Sequence, residues 1–197
     1  MIRLFAFSLF FLLIGCRSFK LEGNYETEKT YQTIENNHFK IGSEYFYRAN
    51  ISAYGNSFSG ILAAKLLDAN THRVALTTDF GNTLFDFSFI NKKLKINYIQ
   101  ENLNKKIIVN TLANDFQNLL TTEFVCDEKF TNSKSIVWKC KNNNNYSYLF
   151  ENEQQQIFKQ INTRKSKKYT TFAFDLHTEN IEIQHHTLNV KIILTKI

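Results

Sequence analysis

From Phe39 onward the chain runs in short segments where apolar and polar residues alternate, the period-two signature of β-strands. Five such runs, 44–54, 58–67, 73–80, 84–90 and 94–99, are separated by Gly55-Asn56-Ser57, residues 68–72, Gly81-Asn82-Thr83 and Asn91-Lys92-Lys93. Residues of these types make tight connections between neighbouring antiparallel strands, so the spacing predicts a meander. In the fourth run Phe85, Phe87 and Phe89 fall on one face, and Leu94, Ile96 and Tyr98 extend that face in the fifth with Lys95 and Asn97 opposite. The period then changes. Ile108, Leu112, Phe116 and Leu119 recur at spacings of four, four and three, which predicts an amphipathic helix over 105–120 with Asn104 as its N-cap. Strand-like runs return at 123–130, 135–141, 146–151, 156–161, 169–175, 181–184 and 188–194. The pattern predicts a mainly β fold: one curved antiparallel half-barrel sheet with one or more covering helices (α+β). A two-sheet sandwich is the competing arrangement.

The N-terminus has a different character. Residues 1–3 carry one positive charge, and residues 4–14 form an eleven-residue apolar run. That is well short of the ~20 residues that span a bilayer as a helix, and within the about 7–15 of a signal-peptide core. The run ends in Leu13-Ile14-Gly15-Cys16, which resembles the lipobox of bacterial lipoproteins; in such proteins the cysteine is acylated and becomes the new N-terminus. Residues 1–15 are therefore expected to be a lipoprotein signal peptide with Cys16 as the lipid anchor. Residues 16–38 are polar and expected to be a tether, with a short helix around 28–34, and residues 39–197 a single β-rich domain. Cleavage would leave 182 residues carrying fifteen of the 19 Phe and a net charge of +5 in place of +6. The aromatic surplus therefore belongs to the domain. An apolar share of 43% and the absence of proline exclude a wholly disordered or collagen-like chain.

Export makes Cys126 and Cys140 interpretable, because disulfides persist in a periplasm. They flank two short apolar runs joined by Thr131-Asn132-Ser133-Lys134, and a hairpin would bring them together. A bridge is expected, with two buried free thiols as the alternative. The chain has no phosphate loop, no Gly-x-Ser-x-Gly and no His-Glu-x-x-His, so neither an enzyme nor a cofactor is expected. No metal site is expected either. His72 falls in an expected turn and His177 at a strand end, both facing solvent, while the neighbours His185 and His186 point to opposite faces of a strand. Asp86 lies opposite Phe85 and Phe87, which suits an exposed position. The groups Lys92-Lys93-Lys95 and Arg164-Lys165-Lys167-Lys168 lack the interleaved aromatics of a nucleic-acid surface, and no nucleic-acid partner is expected. They are read as solvated faces, with anionic lipid headgroups as the functional alternative.

The segment 73–87, RVALTTDFGNTLFDF, resembles LolB-like receptors of the LolA/LolB lipoprotein-localisation family. There a strand ends in Leu-Thr, a protruding apolar residue precedes a glycine, and an alternating strand follows. The order of lipobox, tether, early meander, helix and later strands agrees over most of residues 44–197. The resemblance implies a half-barrel plugged by helices, whose hydrophobic cavity takes acyl chains of lipids or lipoproteins and helps place them in the outer membrane. Phe80 matches the protruding residue that helps insert or transfer cargo. The acyl-chain cavity would be lined by Leu62, Phe85, Phe87, Phe89, Leu94 and Ile96, with Tyr98, Ile108, Leu112 and Phe116. The implied setting is the envelope of a Gram-negative-type bacterium, as a lipid-anchored monomer facing the periplasm and served by a LolA-like carrier. Arg17 after Cys16 is unlike an aspartate-type retention signal, which favours the outer membrane. A non-catalytic structural or adaptor lipoprotein of an envelope complex is the alternative.

Overall fold

Alternation over so many short runs demands a sheet with one covered face, and the computed structural model supplies one. It describes residues 18–197; the expected signal peptide and the expected lipid anchor Cys16 lie outside the described residues. The first meander comprises β2 (Glu44–Ala53), β3 (Asn56–Asp68), β4 (Thr71–Thr77), β5 (Thr83–Ile90) and β6 (Lys93–Ile99). A 3-10 turn, Glu101–Leu103, leads into helix α1 (Lys106–Leu119). The second meander comprises β7 (Glu123–Thr131), β8 (Ile136–Asn142), β9 (Asn145–Glu151), β10 (Ile157–Arg164), β11 (Lys167–Phe174), β12 (Ile181–His185) and β13 (Val190–Lys196). With β1 (Glu26–Glu35), the strands belong to one open, curled antiparallel sheet in the order β1-β7-β8-β9-β10-β11-β12-β13-β2-β3-β4-β5-β6. A mainly β half-barrel with a covering helix is the fold, and the sandwich is excluded.

Two long-range pairings complete the sheet, the first joining the two meanders and the second adding an edge strand. β13 lies against β2, with Ile192 opposite Ile51 and Leu194 opposite Ala49. β1 (Glu26–Glu35) pairs with β7, with Ile34 opposite Phe124. The second pairing corrects the expected tether and the expected helix over 28–34. β1 is an edge strand held by its backbone ladder, and nearly all its side chains are exposed, so no apolar alternation marks it.

The concave face carries the core. Tyr47, Ala49 and Ile51 of β2, Leu62 and Ala64 of β3, Val74 and Leu76 of β4, and the Phe residues of β5 are all buried. Gly60 has a steric role here: a Cβ on it would lie 1.9 Å from the carbonyl oxygen of Thr77, so only glycine lets the end of β4 pass this close to β3. α1 lies across the concave side with Leu112, Phe116 and Leu119 buried. Lys105, not Asn104, caps it, and no side chain closes the cap. The preceding 3-10 turn already binds the backbone N–H of Asn104 to the Glu101 carbonyl and that of Lys105 to Leu103.

Cys126 and Cys140 sit directly opposite one another across β7 and β8, buried and joined by a disulfide. A second, smaller cluster lies apart from the main core, where Val137, Phe150 and Ile161 are covered by Phe19, Leu21 and Tyr25.

Candidate functional site

The apolar face meets α1 without leaving room. Phe85 and Phe87 stack at 4.7 Å between ring centroids, Phe116 packs on Phe85 at 5.7 Å, and Leu62, Phe89 and Leu112 are buried with them. Leu94 and Ile108 are half-buried against this cluster. Ile96 and Tyr98 are exposed, which corrects their expected place in an interior. β6 is the outermost strand, and an irregularity between Asp86 and Phe87 puts Tyr98 opposite Asp86 and Ile99 opposite Phe85. Ile99, half-buried against the core, extends the Phe face instead. Among the described residues, a small space of about 10 Å³ lies under α1, among Ile51, Ala53, Phe58, Ile108, Leu112 and Val190. That is about the smallest void that takes one water molecule, so with α1 seated the side chains themselves fill the expected acyl-chain cavity.

α1 is fastened unevenly. Its second half carries polar anchors: Asp115 to His185, the Gln117 amide to the Lys92 carbonyl at 2.8 Å, and the Asn118 oxygen to the Asn142 amide at 2.9 Å. The Asn36 amide, just past β1, donates to the Leu119 carbonyl at 3.2 Å and to Thr121 at 2.8 Å. Among the described residues, side chains 106–114 make no hydrogen bond to the sheet, and Ile107 is exposed. That half rests on apolar contact alone.

His185 Nε2 lies 2.7 Å from Asp115 Oδ2 with both side chains buried. Burial pushes the Asp115 carboxyl up, and His185 opposes that shift. The His185 ring meets Tyr169 edge-on at 5.3 Å, and its Nδ1 has no partner. No motif in the sequence pairs Asp115 with a second group. The missed signal was its position in the apolar stripe, three residues after Leu112 and four before Leu119. His186 points the other way, to the Thr171 hydroxyl at 2.8 Å.

A second cavity was not visible in the sequence at all. A cleft of about 530 Å³ lies between the two wings of the sheet beside the second half of α1. His72, Phe89 and Lys92 line it from one wing, Asn114, Gln117 and Asn118 from α1, and Asn142, Asn162, Arg164 and Tyr169 from the other. Its floor is a buried relay. Asn142 donates to Ser147 at 3.1 Å, Ser147 to Asn162 at 2.7 Å, Gln160 to Asn162 at 2.9 Å, and Asn162 to Thr170 at 3.2 Å. The inner face is thus apolar toward β2–β5 and polar toward β8–β11. Lys92 and Arg164, from the two basic groups, meet on this rim, and Arg164 lies over the Tyr169 ring.

Two positions differ from expectation for related reasons. His72 belongs to β4, not a turn, and is buried beside Phe89, where burial lowers its pKa. Asp86 does face away from Phe85, but it is buried by a cross-strand pair. Arg73 Nε and Nη2 donate to its two oxygens at 2.9 and 2.5 Å, and the Asn97 amide adds a third bond at 3.1 Å. Arg73 and Asn97 hold its carboxyl below the usual carboxylate range.

Phe80 is 93% exposed at the tip of the β4–β5 turn, at the other end of those strands from the cleft. Among the described residues no group of His, Cys, Asp and Glu could hold a metal ion, and no helix is long and apolar enough to cross a membrane.

Neither a family model nor a curated protein matches the chain. Among solved structures, a DUF1329 family protein from Desulfovibrio piger is similar over 77% of this chain and 82% of its own, at 6% identity and a TM-score of 0.41.

Proposed function

We propose that this is a membrane-tethered envelope lipoprotein that takes acyl chains, free or on a lipoprotein, between α1 and the apolar half of its sheet. The observation that carries this reading is the uneven fastening of α1. Its second half is pinned by Asp115, Gln117 and Asn118, whereas its first half covers Phe58 and Ile51 by apolar contact alone. A chain entering there replaces one apolar contact with another, so lifting the first half costs little where the second half holds register. Phe80, exposed on a short turn, is suited to entering a membrane or an acceptor's apolar surface during transfer to the outer membrane. The chemistry is non-catalytic.

The test is binding of a fluorescent fatty acid to the chain lacking residues 1–16, followed by hydrogen exchange. Micromolar binding that deprotects amides 106–112 while leaving 115–119 protected is the expected result. No probe binding, and no lipid retained in native mass spectrometry, would overturn it. Phe80→Asp should keep probe binding and lose transfer to liposomes.

The filled interior favours a second reading, a structural or adaptor lipoprotein of an envelope complex. Its surface would be the exposed edge strand β1, where Tyr31 stands out from the ladder. Crosslinking in cells that recovers one protein repeatedly, without lipid, would select it.

A further inference from the structure

We infer that the β10–β11 turn docks on an anionic phospholipid surface and sets how the domain sits on its membrane. This rests on the reading of Cys16 as the lipid anchor. The first described residues are tied to that turn: the Phe19 N–H donates to the Ser166 carbonyl at 2.6 Å, and the Phe19 ring packs edge-on against Tyr148 at 4.8 Å. Leu21 and Tyr25 then continue across the outer face of β8–β10. Cys16 is three residues before Phe19, and a chain extends at most about 3.6 Å per residue. An acylated Cys16 is therefore held within roughly 11 Å of the Phe19–Ser166 contact, whatever path the intervening residues take.

The same turn carries Arg164, Lys165, Lys167 and Lys168 on either side of Ser166. The first three are exposed, Lys168 is half-buried, and among the described residues none of the four lies within ion-pair distance of a carboxylate. Lys141, near the end of β8, is ion-paired with Asp127 at 3.8 Å and stays out of this group, while the neighbouring β8–β9 turn is bound to this one through Asn145, whose side-chain oxygen accepts the Lys165 N–H at 3.0 Å. Four unpaired cations on a turn held this close to a lipid anchor can approach the headgroups to within a Debye length, where each is attracted to an anionic surface. Tether and basic turn act as two linked contacts, so the second forms at high effective concentration. In that orientation the polar cleft, whose rim includes Arg164, opens beside the membrane.

The experiment uses the mature acylated protein in vesicles and an aqueous amine-labelling reagent read by mass spectrometry. Lys134, exposed at the opposite end of β8, serves as the internal reference. On phosphatidylglycerol-containing vesicles Lys165 and Lys167 should label roughly tenfold more slowly than on phosphatidylcholine, with Lys134 unchanged. The protection should vanish in about 0.5 M salt. Lys165→Glu with Lys167→Glu should abolish the remaining protection of Lys168. Equal labelling on both vesicle types would overturn the docking surface. The mass of the N-terminal peptide separately reports the anchor: an unacylated Cys16 would overturn the tether reading and the inference with it.

Discussion

His185 on β12 and Asp115 on α1 face each other at 2.7 Å with neither side chain reaching water, so the helix is fastened to the sheet by a polar pair inside the core. Removing one partner strands the other. Asp115→Ala is expected to cost about 3 kcal/mol, because it leaves His185 with no partner at either ring nitrogen. Replacing both residues by leucine should cost less than the sum of the single changes. A double-mutant cycle by urea denaturation measures the coupling, and simple additivity would disprove a direct pair.

Asp86 gives a pH signature. Its carboxyl binds a proton less readily in the folded chain than at the unfolded value of about 3.9, so the unfolded state takes up more protons on acidification and stability falls. The contribution is complete above that value and is lost as pH drops through the lower folded pKa. Arg73 is more than half exposed, so the advantage of wild type over Asp86→Asn should be only about 1 kcal/mol at pH 7 and should shrink below about pH 4. An advantage that stays constant down to pH 2 would contradict the assignment.

The disulfide closes a short loop in the unfolded chain. For Cys126 and Cys140, fourteen positions apart, the chain-entropy estimate is about 3 kcal/mol lost in the double serine variant. A thiol assay on unfolded, unreduced protein lacking residue 16 should find no free thiol.

Phe80 and Phe85 should separate surface from core. Phe80→Asp should change stability by less than about 0.5 kcal/mol, while Phe85→Ala should cost about 3–5 kcal/mol. Thermal melts of the two variants decide this, and a large loss for Phe80→Asp would make Phe80 a packing residue.

Gly60 tests the shape of the sheet. A methyl group there meets the Thr77 carbonyl, a backbone atom that moves only with its strand, so Gly60→Ala should cost roughly 1–3 kcal/mol or more. Gly55→Ala is strained for a different reason, its positive φ, although nothing crowds its Cβ.

Sequence alone determined the succession of strands in each meander, the helix between them and the facing of Phe85, Phe87 and Phe89, because alternation and the 3.6-residue period are local signals read along one element. β1 was illegible, since an exposed edge strand is held by backbone bonds that any side chain permits. The place of Tyr98 was illegible too, because an irregularity in a pairing breaks the count of two. Tertiary structure alone decided that Asp115 meets His185, that Lys92 and Arg164 share a rim, and that Phe19 is tied to Ser166. Each of these joins residues 70 or more positions apart, and such contacts follow from how the sheet curls and which strands close it rather than from any pattern along the chain.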